Sequence, residues 1–159
     1  MILRPAMARD AAAMADIQNQ LIRIGGTTAH QAQKPALQVR RDYIDGPDCL
    51  CCTVAEDSLR VMGWQAVGRH PALPTGWGDI GSYVRPGLQA RGIGAALFGQ
   101  TLRACRALGL LALNATVRAD NAAGLAYYAR MGFVDYGHDP DFALQDGRVV
   151  GRIHRVLHL

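Results

Sequence analysis

No stretch of this 159-residue chain approaches the roughly 18 consecutive apolar residues that a membrane-spanning helix requires, so no membrane role of that kind is read. The opening residues, MILRPAMARD, lack a basic segment followed by an apolar one. No secretory leader is read there, and a cytoplasmic location is the expectation. Cysteine is scarce. Of Cys49, Cys51, Cys52 and Cys105, three crowd into one segment, and no pair has a matching pair at metal-binding spacing. Reduced, partly buried thiols are expected, without a disulfide framework or a metal. Cys105 falls on the apolar stripe of a predicted helix, away from the positive neighbours that generate a thiolate, so a cysteine nucleophile is not expected. His154 and His158 stand four apart in a segment that reads as strand, with no acidic or cysteine ligand beside them. Charge is sparse at 19% of residues, and the arginines are scattered with no basic run. A net charge of +4 and a pI near 9.1 then suit an anionic ligand better than nucleic acid.

What is present is ordinary globular composition, half of it hydrophobic, in a chain long enough for one domain with a full core over residues 1–159. A short strand, Ile2 to Arg4, precedes a helix over about 11–24, with Asp10 as its expected N-cap and Met14, Ile17 and Leu21 on one face. A second helix follows Pro35 and stops at Asp45-Gly46-Pro47. Leu50 to Glu56 and Leu59 to Val67 read as a hairpin turning at Asp57-Ser58. The loop GRHPALPTGWG leads to a strand over Asp79–Val84, then to a helix over about 92–108 that Gly109 stops. Leu110 to Val117 is apolar enough to be a strand buried on both faces. A short helix capped by Asp120 or Asn121 ends near Met131, and strands over Phe133–Tyr136 and Val149–Leu157 close the chain. The order βααβββαβαββ mixes hairpins with crossovers and predicts a mixed α/β sheet.

The chemistry concentrates in VRPGLQARGIGAALF, residues 84–98, where a strand gives way to a helix. The first turn of a helix presents unpaired N–H groups and a partial positive charge, and anions bind there when the backbone can approach. Gly92 and Gly94 remove the side chains that would block the approach, and Arg91 adds a donor fork suited to phosphate. Two familiar phosphate loops do not fit: there is no Gly-Lys-Ser/Thr run, and Leu97 stands where a dinucleotide fingerprint needs a small residue. On this motif alone, a strand-to-helix turn with glycines for packing stays open.

The spacing Gln89-x-x-Gly92-x-Gly94 resembles the pyrophosphate loop of the GNAT superfamily of N-acetyltransferases. Residues 121–133, NAAGLAYYARMGF, resemble that family's later motif through Asn121, Tyr128, Gly132 and Phe133. A helix and a buried strand separate the two motifs, in the family's order. The resemblance implies a mixed, mostly antiparallel sheet with a splayed strand pair and helices on both faces. It implies acetyl-CoA as cosubstrate. Backbone groups of Gln89, Ala90, Arg91, Gly92, Ile93 and Gly94 would hold its pyrophosphate, Tyr83 and Val84 its pantetheine arm and thioester carbonyl, and Asn121 its far side. A donor at the carbonyl would stabilise the oxyanion. Tyr128 would protonate the departing thiolate, its ordinary pKa near 10 lying above a thiol's; the plain alternative is a tyrosine packed beside Tyr127.

RHPALPTGWGDIGSYVRP resembles a narrower subgroup acting on phosphinothricin-like and small amino-acid-type amines. Asp79 stands where that subgroup has Glu, and is the candidate base. Being a methylene shorter, it acts through a water, binds substrate, or merely opens a strand in solvent. GGTTAHQ lacks the subgroup's aromatic and acidic acceptor residues, and Gly151 stands where an acidic residue is common. Three readings follow: a small-molecule amine acetyltransferase working by direct transfer, a non-catalytic acyl-CoA-binding module, and a protein N-terminal or lysine acetyltransferase. A homodimer is the subgroup's expectation.

Overall fold

The computed structural model describes residues 1–159. β1 (Ile2–Pro5) leads through a short 3-10 turn into α1 (Ala11–Ile24), which buries Met14, Ile17 and Leu21. Asp10 does not cap α1. Its carboxylate accepts from the Met7 N–H at 2.7 Å and from both terminal nitrogens of Arg4 at 2.8 Å, so an ion pair takes the place of the expected cap. α2 (Ala36–Arg40) begins after Pro35 and widens into a π-turn over Arg41–Asp45. β2 (Cys49–Asp57) and β3 (Arg60–Gly68) form a hairpin whose turn is Ser58-Leu59, at φ 48° and 65°. A two-residue turn with both φ positive matches the twist of paired strands, which places Leu59 in the turn and not in β3.

β4 (Trp77–Val84) starts two residues before the expected Asp79. Then come α3 (Ile93–Ala107), β5 (Ala112–Arg118), α4 (Ala122–Arg130), β6 (Val134–Asp139) and β7 (Arg152–His158). β6 runs past the expected Tyr136 to Asp139, and β7 starts later than Val149, which makes only an isolated bridge to Ala143.

One seven-stranded sheet results, in the order β1-β2-β3-β4-β5-β7-β6. Every neighbouring pair is antiparallel except β4 and β5. Those two pair in parallel only from Trp77–Asp79 against Ala112–Asn114, and then part. β4 stays paired with β3 to Val84, and β5 with β7 to Arg118, so the sheet splits along one seam. Helices cover both faces. α1, α2 and the π-turn pack on Val54, Trp64, Ala66 and Tyr83, while α3 and α4 pack on Val67, Ile80, Leu113 and Val117. The switch of face between Ala66 and Val67 is strand alternation. No helix is long and apolar enough to cross a membrane.

Candidate active site

The seam between β4 and β5 is where backbone polarity goes unanswered inside the sheet. The Arg85 N–H bonds to Met62 O, so alternate residues Tyr83 and Gly81 also turn their peptide groups toward β3. Ser82 and Val84 therefore face theirs into the seam. Of the two residues expected to offer backbone groups there, Val84 has its peptide turned that way. Tyr83 has its peptide on β3 and its ring on the opposite side of the sheet, stacked on Trp64 at 4.1 Å. Ser82 was missed by sequence reasoning, although its even spacing from Val84 marks it.

The loop after β4 bears the marks of an anion site. From Gln89 through Ala95 no backbone N–H donates to a backbone carbonyl; the first to do so is that of Ala96, to Gly92 O. Gln89 shapes this loop with its own side chain, which accepts from the Gly87 N–H at 2.8 Å and reaches back to Val84 O at 3.4 Å. Ala90 and Gly92 both have positive φ, 62° and 81°, turning successive N–H groups toward one side. Ile93 is buried against Ala55 and Leu97 and anchors the helix start to the sheet. Arg91 is exposed and unpaired. The two glycines serve different ends. Gly92 needs its left-handed conformation, whereas Gly94 admits the Tyr127 ring: a Cβ there would lie 2.9 Å from Tyr127 Cε2.

Tyr127 reaches the start of α3. Its hydroxyl donates to Gly94 O at 2.8 Å and accepts from Gln65 Nε2 at 3.1 Å. The other Gln65 amide hydrogen goes to Ser82 Oγ at 2.7 Å, and Ser82 Oγ lies 2.8 Å from the Tyr128 hydroxyl. Gln65, Ser82, Tyr127 and Tyr128 thus form one hydrogen-bonded group on the α3/α4 side of the seam. Burial pushes the Tyr128 hydroxyl well above the ordinary tyrosine range, and the Ser82 bond offsets this only in part.

On the other side, Asp79 and Asn114 are the last paired residues before the strands part. Asn114 Nδ2 donates to Asp79 Oδ1 at 2.7 Å and to Thr116 Oγ1 at 3.0 Å. Thr116 Oγ1 meets His154 Nδ1 at 2.9 Å, and the Tyr136 hydroxyl donates to Asn114 Oδ1 at 2.5 Å. Burial raises the Asp79 carboxyl above its ordinary value, against the opposing pull of Asn114, His70 and His154. Asn121 caps α4 by accepting from the Gly124 N–H at 2.9 Å, and its Nδ2 donates to Thr27 O at 2.7 Å. Its amide is therefore engaged at both ends within the protein. A Cβ at Gly124 would collide with that amide, which explains the glycine inside a short helix.

A mixed sheet split between two parallel strands, with a bare helix N-terminus at the mouth of the split, is the arrangement that the resemblance to N-acetyltransferases leads one to expect. Solved structures of like fold agree. A ribosomal-protein-alanine N-acetyltransferase from Brucella melitensis superposes at a TM-score of 0.86, with 21% identity and 100% of both chains covered. The yncA protein of Salmonella typhimurium, solved with its cofactor acetyl-CoA, gives 0.86 and 21%, covering 100% of this chain and 94% of that one. A phosphinothricin acetyltransferase from Sinorhizobium meliloti, in complex with acetyl-CoA, gives 0.84 and 20%, covering 99% and 88%. No curated protein sequence matches. Residues 15–133 match the acetyltransferase (GNAT) family, and the chain belongs to it. It is an acetyl-CoA-dependent N-acetyltransferase.

Proposed function

We propose that the chain moves the acetyl group of acetyl-CoA directly to a primary amine of a small, amino-acid-like acceptor, in a ternary complex without an acetylated enzyme. One observation carries this reading: Asp79 and the Ser82–Tyr128 pair stand on opposite sides of the seam, where it opens.

The unpaired N–H groups of Gln89–Ala95, with Arg91, suit the pyrophosphate, and the seam-facing peptide groups of Ser82 and Val84 suit the amides of the pantetheine arm. One of those N–H groups would donate to the thioester carbonyl and stabilise the oxyanion as the amine attacks. Asp79 takes a proton from the acceptor ammonium, freeing the lone pair. The N–C bond forms, the C–S bond breaks, and Tyr128 gives its proton to the departing thiolate. The nitrogen releases its second proton as the amide forms, and solvent restores the tyrosine. A carboxyl raised by burial is a better base than an ordinary one at neutral pH.

A small acceptor is supported by the segment between α1 and α2, which is fastened across this end of the sheet. Thr27 O accepts from Asn121, and Gln31 accepts from the Gln145 N–H at 2.5 Å. A cavity of about 230 Å³ beside it, lined in part by His30, Gln31, Arg118 and Arg148, has a size and polarity that suit an amino-acid-type molecule.

The test is free-thiol release from acetyl-CoA with amino acids, sulfoximines, polyamines and peptides. Release with amino-acid-type amines and none with peptides is expected. Turnover with peptides alone would overturn the acceptor class, and an acetylated cysteine formed at the turnover rate would overturn direct transfer.

A further inference from the structure

We propose that Asn114, held by Tyr136 and Thr116, is a positioning residue for Asp79: it engages Oδ1 and leaves Oδ2 as the oxygen that receives the proton. This rests on Asp79 being the base. The argument is a count of donors and acceptors. Asn114 is buried, 3% exposed, in the middle of β5, where an amide without partners is costly. Both of its N–H hydrogens are committed, one to Asp79 Oδ1 and one to Thr116 Oγ1. Its carbonyl oxygen accepts from the Tyr136 hydroxyl. A flip of the amide would aim the oxygen at the Asp79 carboxylate and the hydrogens at the tyrosine, so Tyr136 and Thr116 fix which end faces Asp79. Asp79 Oδ2 makes no hydrogen bond within the protein, yet it is not sealed from solvent. The carboxylate thus has one oxygen clamped and one free.

Four strands contribute to this arrangement. Asp79 lies on β4, Asn114 and Thr116 on β5, His154 on β7, and Tyr136 comes from the register shift between Asp135 and Gly137 on β6. The titratable groups facing Asp79 are His70 from the β3–β4 loop, His154 from β7, Tyr136 from β6 and Tyr128 from α4. None of these four bonds the carboxylate; the Asn114 amide does.

The test is a pH titration of the Asp79 carboxyl by ¹³C NMR in the protein without ligands, assigned by the signal lost in Asp79→Asn. Losing a hydrogen bond to the ionised carboxylate favours its protonated form, so Asn114→Leu should titrate about one pH unit higher than wild type. Tyr136→Phe, at a site 48% exposed and so tolerant of change, should shift it in the same direction by less. With an acceptor in hand, the acid limb of kcat/KM should move up by the same amounts. A residue that merely supports the fold would lower activity equally at every pH. If the Asp79 titration is unmoved in both variants, the inference is overturned while Asp79 as base survives. If Asp79→Asn keeps the wild-type acid limb, both fall.

Discussion

Replacing Tyr128 with Phe separates a chemical role from a structural one, because the structure makes the structural cost small. The hydroxyl has one partner, Ser82 Oγ at 2.8 Å, and that oxygen keeps the Gln65 amide at 2.7 Å when the hydroxyl goes. No buried polar atom is newly orphaned. The ring stays packed against Phe133 and Tyr127, with centroids at 5.1 Å and 4.9 Å. The expected loss of stability is then one neutral hydrogen bond, about 1 kcal/mol. In a chain of this length that lowers the melting temperature by roughly 2–4 °C. Loss of a general acid costs far more, about 10²- to 10⁴-fold in kcat. Thiol release at saturating acetyl-CoA, set beside a thermal melt of the same preparation, reads both. The acid must be protonated to work and burial holds Tyr128 well above the ordinary range, so it adds no basic limb below pH 10 in wild type. A Tyr128→Phe variant with wild-type kcat would refute the assignment, and so would an activity loss that merely follows the fraction unfolded.

Arg91→Ala removes an exposed, unpaired guanidinium from the phosphate loop, and should weaken acetyl-CoA binding about tenfold, less so in high salt, without moving the melting temperature; calorimetric titration at two ionic strengths checks it. Gly94→Ala drives a Cβ to 2.9 Å from Tyr127 and displaces the hydroxyl from Gly94 O, so stability should fall by about 1–3 kcal/mol in denaturant titration and the cofactor should bind more weakly. Asp10 is pushed up by burial, but its bonds to Arg4 and the Met7 N–H outweigh this and hold its pKa below the ordinary value. A carboxylate depressed in the fold stabilises it above the unfolded pKa, about 3.9, and that contribution is lost as pH falls through the folded value. Melting temperature should therefore drop below about pH 4. Arg4→Met, which strands Asp10 and Glu56 at 5% and 14% side-chain exposure, should cost about 3–5 kcal/mol near neutral pH and flatten the acid-side dependence.

The sequence disclosed what local pattern governs. Apolar periodicity in Met14, Ile17 and Leu21 placed α1, and the glycine spacing at 92 and 94 placed the turn before α3. It could not disclose why the second glycine is there, since the Tyr127 ring arrives from 33 residues away. Trp77 and Gly78 read as loop because glycine and proline crowd the segment before them. They are strand because the pairing with Ala112 and Leu113 overrides local propensity, and a side chain at Gly78 would collide with Val67. Asn114 was passed over as the interior of an apolar strand. Its partners lie 35 and 22 residues away, and no periodicity announces a polar residue whose satisfaction depends on the fold. Asp10 shows the converse: a good cap by local rules went to an arginine on the neighbouring strand.

The division of labour at the seam follows from a parity. Asp79 and Ser82 are three residues apart on β4, an odd number, so strand alternation sends them to opposite faces. Base and acid can address one acetyl carbon from opposite faces only where the strand between them lacks a partner on that edge. Here the β4–β5 ladder stops at Asp79 and Asn114. On the proposed reading, the amine approaches the carbonyl from the Asp79 side and the thiolate departs toward Ser82 and Tyr128. Register then decides function as well as packing. Slipping β5 by one residue against β4 would turn Asn114 to the α3/α4 face and bring an apolar neighbour, Leu113 or Ala115, to Asp79. The apolar faces of β5 oppose that slip, since Leu113, Ala115 and Val117 are packed under α3 and α4. The core that fixes the fold thereby also fixes which amide meets Asp79.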